Sequence, residues 1–166
     1  VTVLDWHNGN RSILSDSHLT GSIFGLTLQT PYEMIYRAHI ESTAFGTKMI
    51  MQQFENNNIP VHTVYAAGGI PIKSELLVDI YANVLNKEIV VIDSSNATAL
   101  GAAMLGANVG GAYASLKETV QQMKQPIYYR KQPEPEKVKQ YELLFQRYKS
   151  LHDLLGKTHP ELSYID

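Results

Sequence analysis

The chain has 166 residues, 44% of them hydrophobic and 18% charged, which is the profile of one ordinary soluble globular domain and not of a disordered segment. Fourteen Lys and Arg against sixteen Asp and Glu leave a net charge of −2, so there is no basic footprint for nucleic acid, and zero cysteines exclude a disulfide scaffold, Cys-ligated zinc and a thiol nucleophile together. No apolar run approaches the roughly 18 residues of a membrane span and no secretory signal opens the sequence, which fits a cytoplasmic protein with no membrane partner. The start at Val1-Thr2-Val3, without methionine, reads as a piece of a longer chain.

In chain order, residues 1–20 carry the turn-rich stretch Asp5-Trp6-His7-Asn8-Gly9-Asn10-Arg11 and predict an irregular loop with at most a short helix. Gly21 to Leu28 alternates weakly and predicts a short strand. Thr30-Pro31-Tyr32-Glu33 has the pattern of a capping box, with threonine at the cap, proline at the first helical position and glutamate three residues on. Met34, Ile35, Ala38, Phe45, Met49 and Phe54 then recur at helical spacing and predict one helix of about 25 residues, stopped by Asn56-Asn57-Asn58-Ile59-Pro60. His62 to Ala67 predicts a strand ending at Gly68-Gly69. Pro71 suits the first position of the next helix, whose face is Leu77, Ile80, Tyr81 and Val84 and whose end lies near Asn86. Glu88 to Ile92 is short and β-branched, a buried strand, and Ala97 to Val109 is an Ala- and Gly-rich helix closed by Gly110-Gly111. Strand–helix–strand–helix is the pattern of a parallel α/β unit. A short helix over Leu116–Met123, an extended piece at Ile127-Tyr128-Tyr129 and an amphipathic terminal helix (Val138, Tyr141, Leu144, Phe145, Tyr148, Leu151, Leu155) complete the pattern.

Gly68-Gly69 follows a strand and opens a helix, where glycine lets a ligand approach the backbone and the helix N-terminus offers unpaired N–H groups. A ligand-free tight turn explains the same two glycines. Lys73 and Ser74, in the first turn, could touch a phosphate or ribose, or be plain surface. Ala97, Ala99, Gly101, Ala102, Ala103, Gly106 and Ala107 make a helix of little volume, which reads first as close packing on the sheet and second as room left for a flat ligand. Gly106-x4-Gly111 is not a phosphate loop of the Walker type, because Ala112 and Tyr113 occupy the lysine and Ser/Thr slots. Glu41 shares the inward stripe and has Arg37 one turn earlier, a locally paired structural carboxylate. The six histidines never pair at i,i+3 or i,i+4, and no Gly-x-Ser-x-Gly elbow exists, so neither a metal site nor a serine hydrolase is expected. Six Lys and Arg against three acidic residues over 130–149 flank the apolar stripe and read as a solvated face.

Three blocks carry a resemblance: Tyr36-Arg37-Ala38-His39-Ile40-Glu41-Ser42-Thr43-Ala44-Phe45-Gly46, then the run from Ala67-Gly68-Gly69-Ile70-Pro71-Ile72-Lys73-Ser74 through Leu85, then Ala99-Leu100-Gly101-Ala102-Ala103. In this order and spacing the chain resembles the C-terminal half of the FGGY carbohydrate kinases, over essentially its whole length. The opening Leu4-Asp5-Trp6-His7-Asn8-Gly9-Asn10-Arg11 is similar to the branch of that family acting on L-ribulose. The resemblance implies an actin-like, ribonuclease-H-like ATPase domain, a mixed or parallel sheet flanked by helices. Residues 1–166 would form one nucleotide-binding domain that lacks its first strands. It implies ATP and Mg2+ as cofactors of the full enzyme. The implied partners are a ketose sugar, L-ribulose, and the enzyme's own N-terminal domain, with a homodimer left open. It places nucleotide contacts at Gly68, Gly69, Ile70 and Lys73; Ser74 stands where relatives often have asparagine. The catalytic aspartate lies upstream in this family, and Asp5, Asp16, Asp79 and Asp93 do not match it, so no catalytic residue is assigned. Two other readings stay open: the same domain of a xylulose or glycerol kinase, and a non-catalytic α/β module binding an anion at the same turn.

Overall fold

The middle of the strand Glu88–Ile92 is buried, with Ile89, Val90 and Val91 at 2% exposure or less, and strands on both its edges and the helices of the preceding crossover pack around it. In this computed structural model, which describes residues 1–164, the elements run β1 (Thr2–Leu4), β2 (Ser22–Phe24), α1 (Tyr32–Asn56), β3 (Thr63–Ala66), α2 (Gly69–Lys73), α3 (Glu75–Leu85), β4 (Glu88–Ile92), α4 (Ala97–Val109), α5 (Leu116–Met123), β5 (Ile127–Lys131) and α6 (Pro135–Asp153). A π turn at Leu154–Thr158 and a 3-10 turn at Pro160–Ser163 close the chain. The last two residues of the expected 1–166 domain lie outside the described residues.

β4 is central in a mixed sheet of order β3-β4-β5. It pairs parallel with β3, Tyr65 opposite Val90, and antiparallel with β5, Val91 opposite Tyr129. β1 and β2 form a separate antiparallel pair, Val3 opposite Ile23. The parallel pair needs the α2–α3 crossover between its strands, since parallel neighbours cannot be joined by a hairpin. α1, α3 and α6 share a core in which the Phe45 ring lies 5.4 Å from that of Tyr148 and 5.9 Å from that of Phe145. Trp6 meets His152 edge to face at 5.3 Å, and burial lowers the His152 pKa, keeping the ring neutral near pH 7.

Four local expectations are corrected. The opening residues are not all loop, because Thr2–Leu4 pairs with β2 and buries Val3 and Leu4 against the helices. The capping box does not form: the Thr30 hydroxyl accepts from the Thr27 N–H at 2.9 Å, and α1 begins at Tyr32 with Pro31 at its cap. Pro71 does not open one long helix. Gly69–Lys73 is a separate turn, and Ser74, accepting from the Leu77 N–H at 3.3 Å, caps a second helix. The small-residue helix α4 has no buried residue, so it does not pack tightly on the sheet. The expected span of α1 and the αL stop of α3 at Asn86 (φ 51°) are observed.

Asn83 is fully buried; its amide donates to the Asp79 carbonyl at 2.8 Å and its oxygen accepts from the Glu134 N–H at 2.7 Å, fixing the entry to α6. Asn83→Ala removes that acceptor, and denaturant unfolding should show a loss of about 1–3 kcal/mol. Asp153 is partly desolvated, which opposes ionisation, yet bonds from Lys149, Lys157 and His152 outweigh this and hold its pKa well below the carboxylate range. A carboxylate depressed in the folded state stabilises above its unfolded pKa of about 3.9 and loses that contribution as pH falls. Asp153→Asn should therefore lower Tm at pH 7, with the gap to wild type narrowing steadily as thermal melts are repeated down through the acidic range.

Candidate functional site at the glycine turn

The end of β3 is tied down before it turns. The Gly68 N–H donates to the Ser94 carbonyl at 2.8 Å, joining the turn to the segment that leaves β4. Gly68 sits at φ 102°, ψ 178°, a region that side-chain-bearing residues rarely occupy, so backbone geometry alone demands glycine there. Gly69 differs. Its φ is not positive and a Cβ built on it meets no atom within 4 Å, so nothing inside the chain requires glycine at this position. Open backbone at the carboxyl end of a parallel strand is where α/β proteins take their ligands.

α2 is one turn long and is anchored by the buried Pro71. Ile70 is apolar yet 66% exposed, and Lys73 is exposed three residues on, so the two share a side of the turn. The four expected nucleotide contacts, Gly68, Gly69, Ile70 and Lys73, thus come together on one short segment. Ser74 is set apart from them, since its hydroxyl is used to cap α3.

Beside the turn lies a largely apolar cleft of about 720 Å³ whose lining includes Tyr65, Ala67, Ser94, Leu100, Gly101 and Met104. This is within the ordinary size of a small-molecule site. A Cβ on Gly101 also meets nothing within 4 Å, so the small residues of α4 leave room and do not fill it. Sequence reasoning missed the opposite wall, Val120 and the segment Lys124–Ile127, because nothing local marks a polar loop as the lip of a cleft. Tyr65, 69% exposed inside an apolar strand, was a signal that could have been read.

The acidic residues are largely committed elsewhere. Asp79 is partly desolvated, but Lys131 at 2.7 Å and Lys137 at 3.2 Å dominate and lower its pKa. Asp16 bonds His18 and the Tyr164 hydroxyl. Asp5, half-buried after β1, has its pKa raised by burial, with no lysine or arginine paired to it. The expected Arg37–Glu41 pair is present at 2.8 Å. Among the described residues no three His, Cys, Asp or Glu side chains converge on a metal site, and no helix is long and apolar enough to cross a membrane.

The model of the FGGY family of carbohydrate kinases, C-terminal domain, matches residues 1–109. Ribulokinase 1 of Staphylococcus saprophyticus is 86% identical over 166 residues, all of this chain and 31% of that protein. The ribulokinase of Staphylococcus epidermidis is 74% identical over 165 residues, again 99% of this chain and 31% of the relative. The chain therefore spans about a third of the length of the curated relatives it matches. Among solved structures, a gluconate kinase from Lactobacillus acidophilus superimposes with a TM-score of 0.79 at 26% identity, over 98% of this chain and 32% of that one.

The two glycines should separate in a stability measurement. Gly68→Ala forces a side chain into the disfavoured backbone region and should cost about 1–3 kcal/mol in denaturant unfolding. Gly69→Ala, with open space and ordinary backbone, should stay within about 0.5 kcal/mol of wild type.

Proposed function

The chain belongs to the FGGY family of carbohydrate kinases, and from that premise we propose that residues 1–166 form the C-terminal nucleotide-binding domain of a ribulokinase. The full enzyme transfers the γ-phosphoryl group of ATP to L-ribulose, giving L-ribulose 5-phosphate and ADP. The observation that carries the nucleotide half of this reading is Gly69, a glycine with no reason inside the chain and open space above it. The sugar half is supported by identity to the staphylococcal ribulokinases along the whole chain, including the block Leu4–Arg11.

Phosphoryl transfer needs positioning and charge stabilisation more than covalent help, so one domain can hold the nucleotide while the rest of the enzyme supplies the base and the sugar contacts. Gly68 and Gly69 let the nucleotide approach the backbone, Ile70 gives it an apolar side, and Lys73 offers a positive charge to its phosphates. α4 fits contact with the enzyme's own N-terminal domain: it is apolar, with Leu105 57% and Val109 86% exposed, and buries no residue within this chain. Closure of the two domains then excludes water from the transfer. Among the described residues no three His, Cys, Asp or Glu side chains converge, and Mg2+ in the full enzyme would be carried chiefly by the nucleotide phosphates. A cytoplasmic place, a role in L-arabinose catabolism and a homodimer belong to the same proposal.

The test uses the full-length enzyme with ATP, magnesium and a panel of L-ribulose, D-xylulose and glycerol. L-Ribulose should have the highest kcat/KM, and a clear preference for either other substrate rejects the sugar assignment. Gly69→Val should raise the KM for ATP about tenfold, equivalent to about 1.4 kcal/mol, while the KM for L-ribulose stays within about twofold. An unchanged ATP KM in folded Gly69→Val protein rejects the nucleotide assignment. The isolated 166-residue chain should show no ATP-dependent turnover of L-ribulose in an ADP-release assay.

A further inference from the structure

α2 is five residues long, too short to be stable alone, and yet it carries Gly69, Ile70 and Lys73. Its entry is held by the Gly68–Ser94 bond at 2.8 Å. Its middle is held from a distance of 58 residues, where the hydroxyl of Tyr129 on β5 donates to the Pro71 carbonyl at 3.0 Å. β5 lies beyond residue 109, outside the part of the chain that the family model matches.

We propose that Tyr129 is a positioning residue for the nucleotide turn: β5 uses its hydroxyl to fix α2, and so sets where the Gly68-Gly69 backbone stands against bound ATP. This rests on the nucleotide reading given above. Three features of β5 fit the role. Its register with β4 breaks after Val91, so that Val91 faces Tyr129 but Ile92 faces Ile127, which leaves Tyr128 as the extra residue of a bulge. Bulges re-aim neighbouring side chains and are common beside functional sites. The Tyr128 ring stands 5.5 Å from that of Tyr129 at 66°, an edge contact that restrains it. Two residues further on, and therefore on the same face, Lys131 binds Asp79 of α3 at 2.7 Å. One strand thus grips both halves of the crossover, α2 through Tyr129 and α3 through Lys131. Burial raises the Tyr129 pKa, so the hydroxyl stays protonated and available as a donor at neutral pH.

The experiment compares Tyr129→Phe with Tyr81→Phe in the full-length enzyme, Gly69→Val serving as reference. Tyr81→Phe removes a hydroxyl bond of the same length, 3.0 Å to the Thr43 hydroxyl, well away from the glycine turn in sequence and in partner. Tyr129→Phe should raise the KM for ATP, and the dissociation constant of ADP by calorimetry, about three- to tenfold, with kcat and the KM for L-ribulose within about twofold. Tyr81→Phe should lower Tm by a similar amount and leave both nucleotide constants unchanged. If Tyr129→Phe leaves them unchanged while Gly69→Val raises the ATP KM, the positioning role is overturned and the nucleotide reading stands. If the two phenylalanine variants raise them equally, the effect is general softening and the positioning role is again overturned. If neither Tyr129→Phe nor Gly69→Val moves them, the nucleotide reading itself fails.

Discussion

β4 can be exposed on no side. Three consecutive β-branched residues at 2% exposure or less, whose side chains alternate between the two faces, need a neighbour on each edge and cover on both faces, and much of the architecture answers that need. β3 pairs with β4 in parallel, an arrangement that needs the helical crossover joining the two strands, and a parallel pair brings both carboxyl ends to one side of the sheet. The glycine turn leaves β3 at that side, and Ser94, just past the end of β4, accepts its N–H. The candidate site is therefore a consequence of how β4 is paired. The other edge is taken by β5, and with it comes the side chain that reaches α2.

The helical layer over this sheet is joined by packing and by one polar cluster. The Arg37 Nε donates to Glu41 at 2.8 Å, Arg37 Nη2 donates to the Tyr141 hydroxyl at 2.7 Å, and that hydroxyl donates to Glu41 at 3.1 Å. Glu41 is 9% exposed, so its charge is tolerable only because both partners are present. Desolvation opposes the Arg37 charge, but the bonds it donates to Glu41 and Tyr141 prevail and raise its pKa. The same residues that look like a family block within α1 thus need α6, 100 residues later, to complete them. Residues after 109 finish the domain's core as well as its sheet.

What the sequence made legible was whatever is encoded by local pattern. The middle of the α1 stripe (Ala38, Phe45, Met49), the β-branched run of β4, the face of α6 and the Gly-Gly turn follow from side-chain period and turn chemistry within a few residues, whereas Met34 and Phe54 at the ends of that stripe are exposed because α1 outruns its neighbours. The Arg37–Glu41 pair was legible for the same reason, an i,i+4 spacing. β1 was not, because three residues inside a polar stretch become a strand only through pairing with Ser22–Phe24. The Thr30 cap was misread because a threonine can serve either of two nearby backbones, and Thr27 won. The composition of α4 was legible but not its meaning, since small residues suit close packing and open space equally. The Tyr129–Pro71 contact had no local signal at all, being a matter of register on a strand far along the chain.

The glycines sort the molecule into what it needs for itself and what it holds for something else. A Cβ on Gly9 would stand 2.6 Å from the Ser17 backbone, one on Gly21 would strike the His7 ring, and one on Gly156 would strike Leu14. Those three are fixed by the fold's own packing. Gly69, Gly101 and Gly106 have empty space where a Cβ would go and no unusual backbone angle to justify them. They lie on α2 and α4, the two helices that bracket the apolar cleft or the turn beside it. Glycine in a helix weakens it by up to about 1 kcal/mol relative to alanine, so three such positions without internal cause fit the proposed reading, in which a nucleotide and a neighbouring domain approach these helices. On that reading the nucleotide approaches at Gly69, on the single turn of α2. α4 offers two stretches: Gly101 and Met104 line the cleft, while Leu105 and Val109, 57% and 86% exposed, stay open beyond it and suit the proposed domain contact.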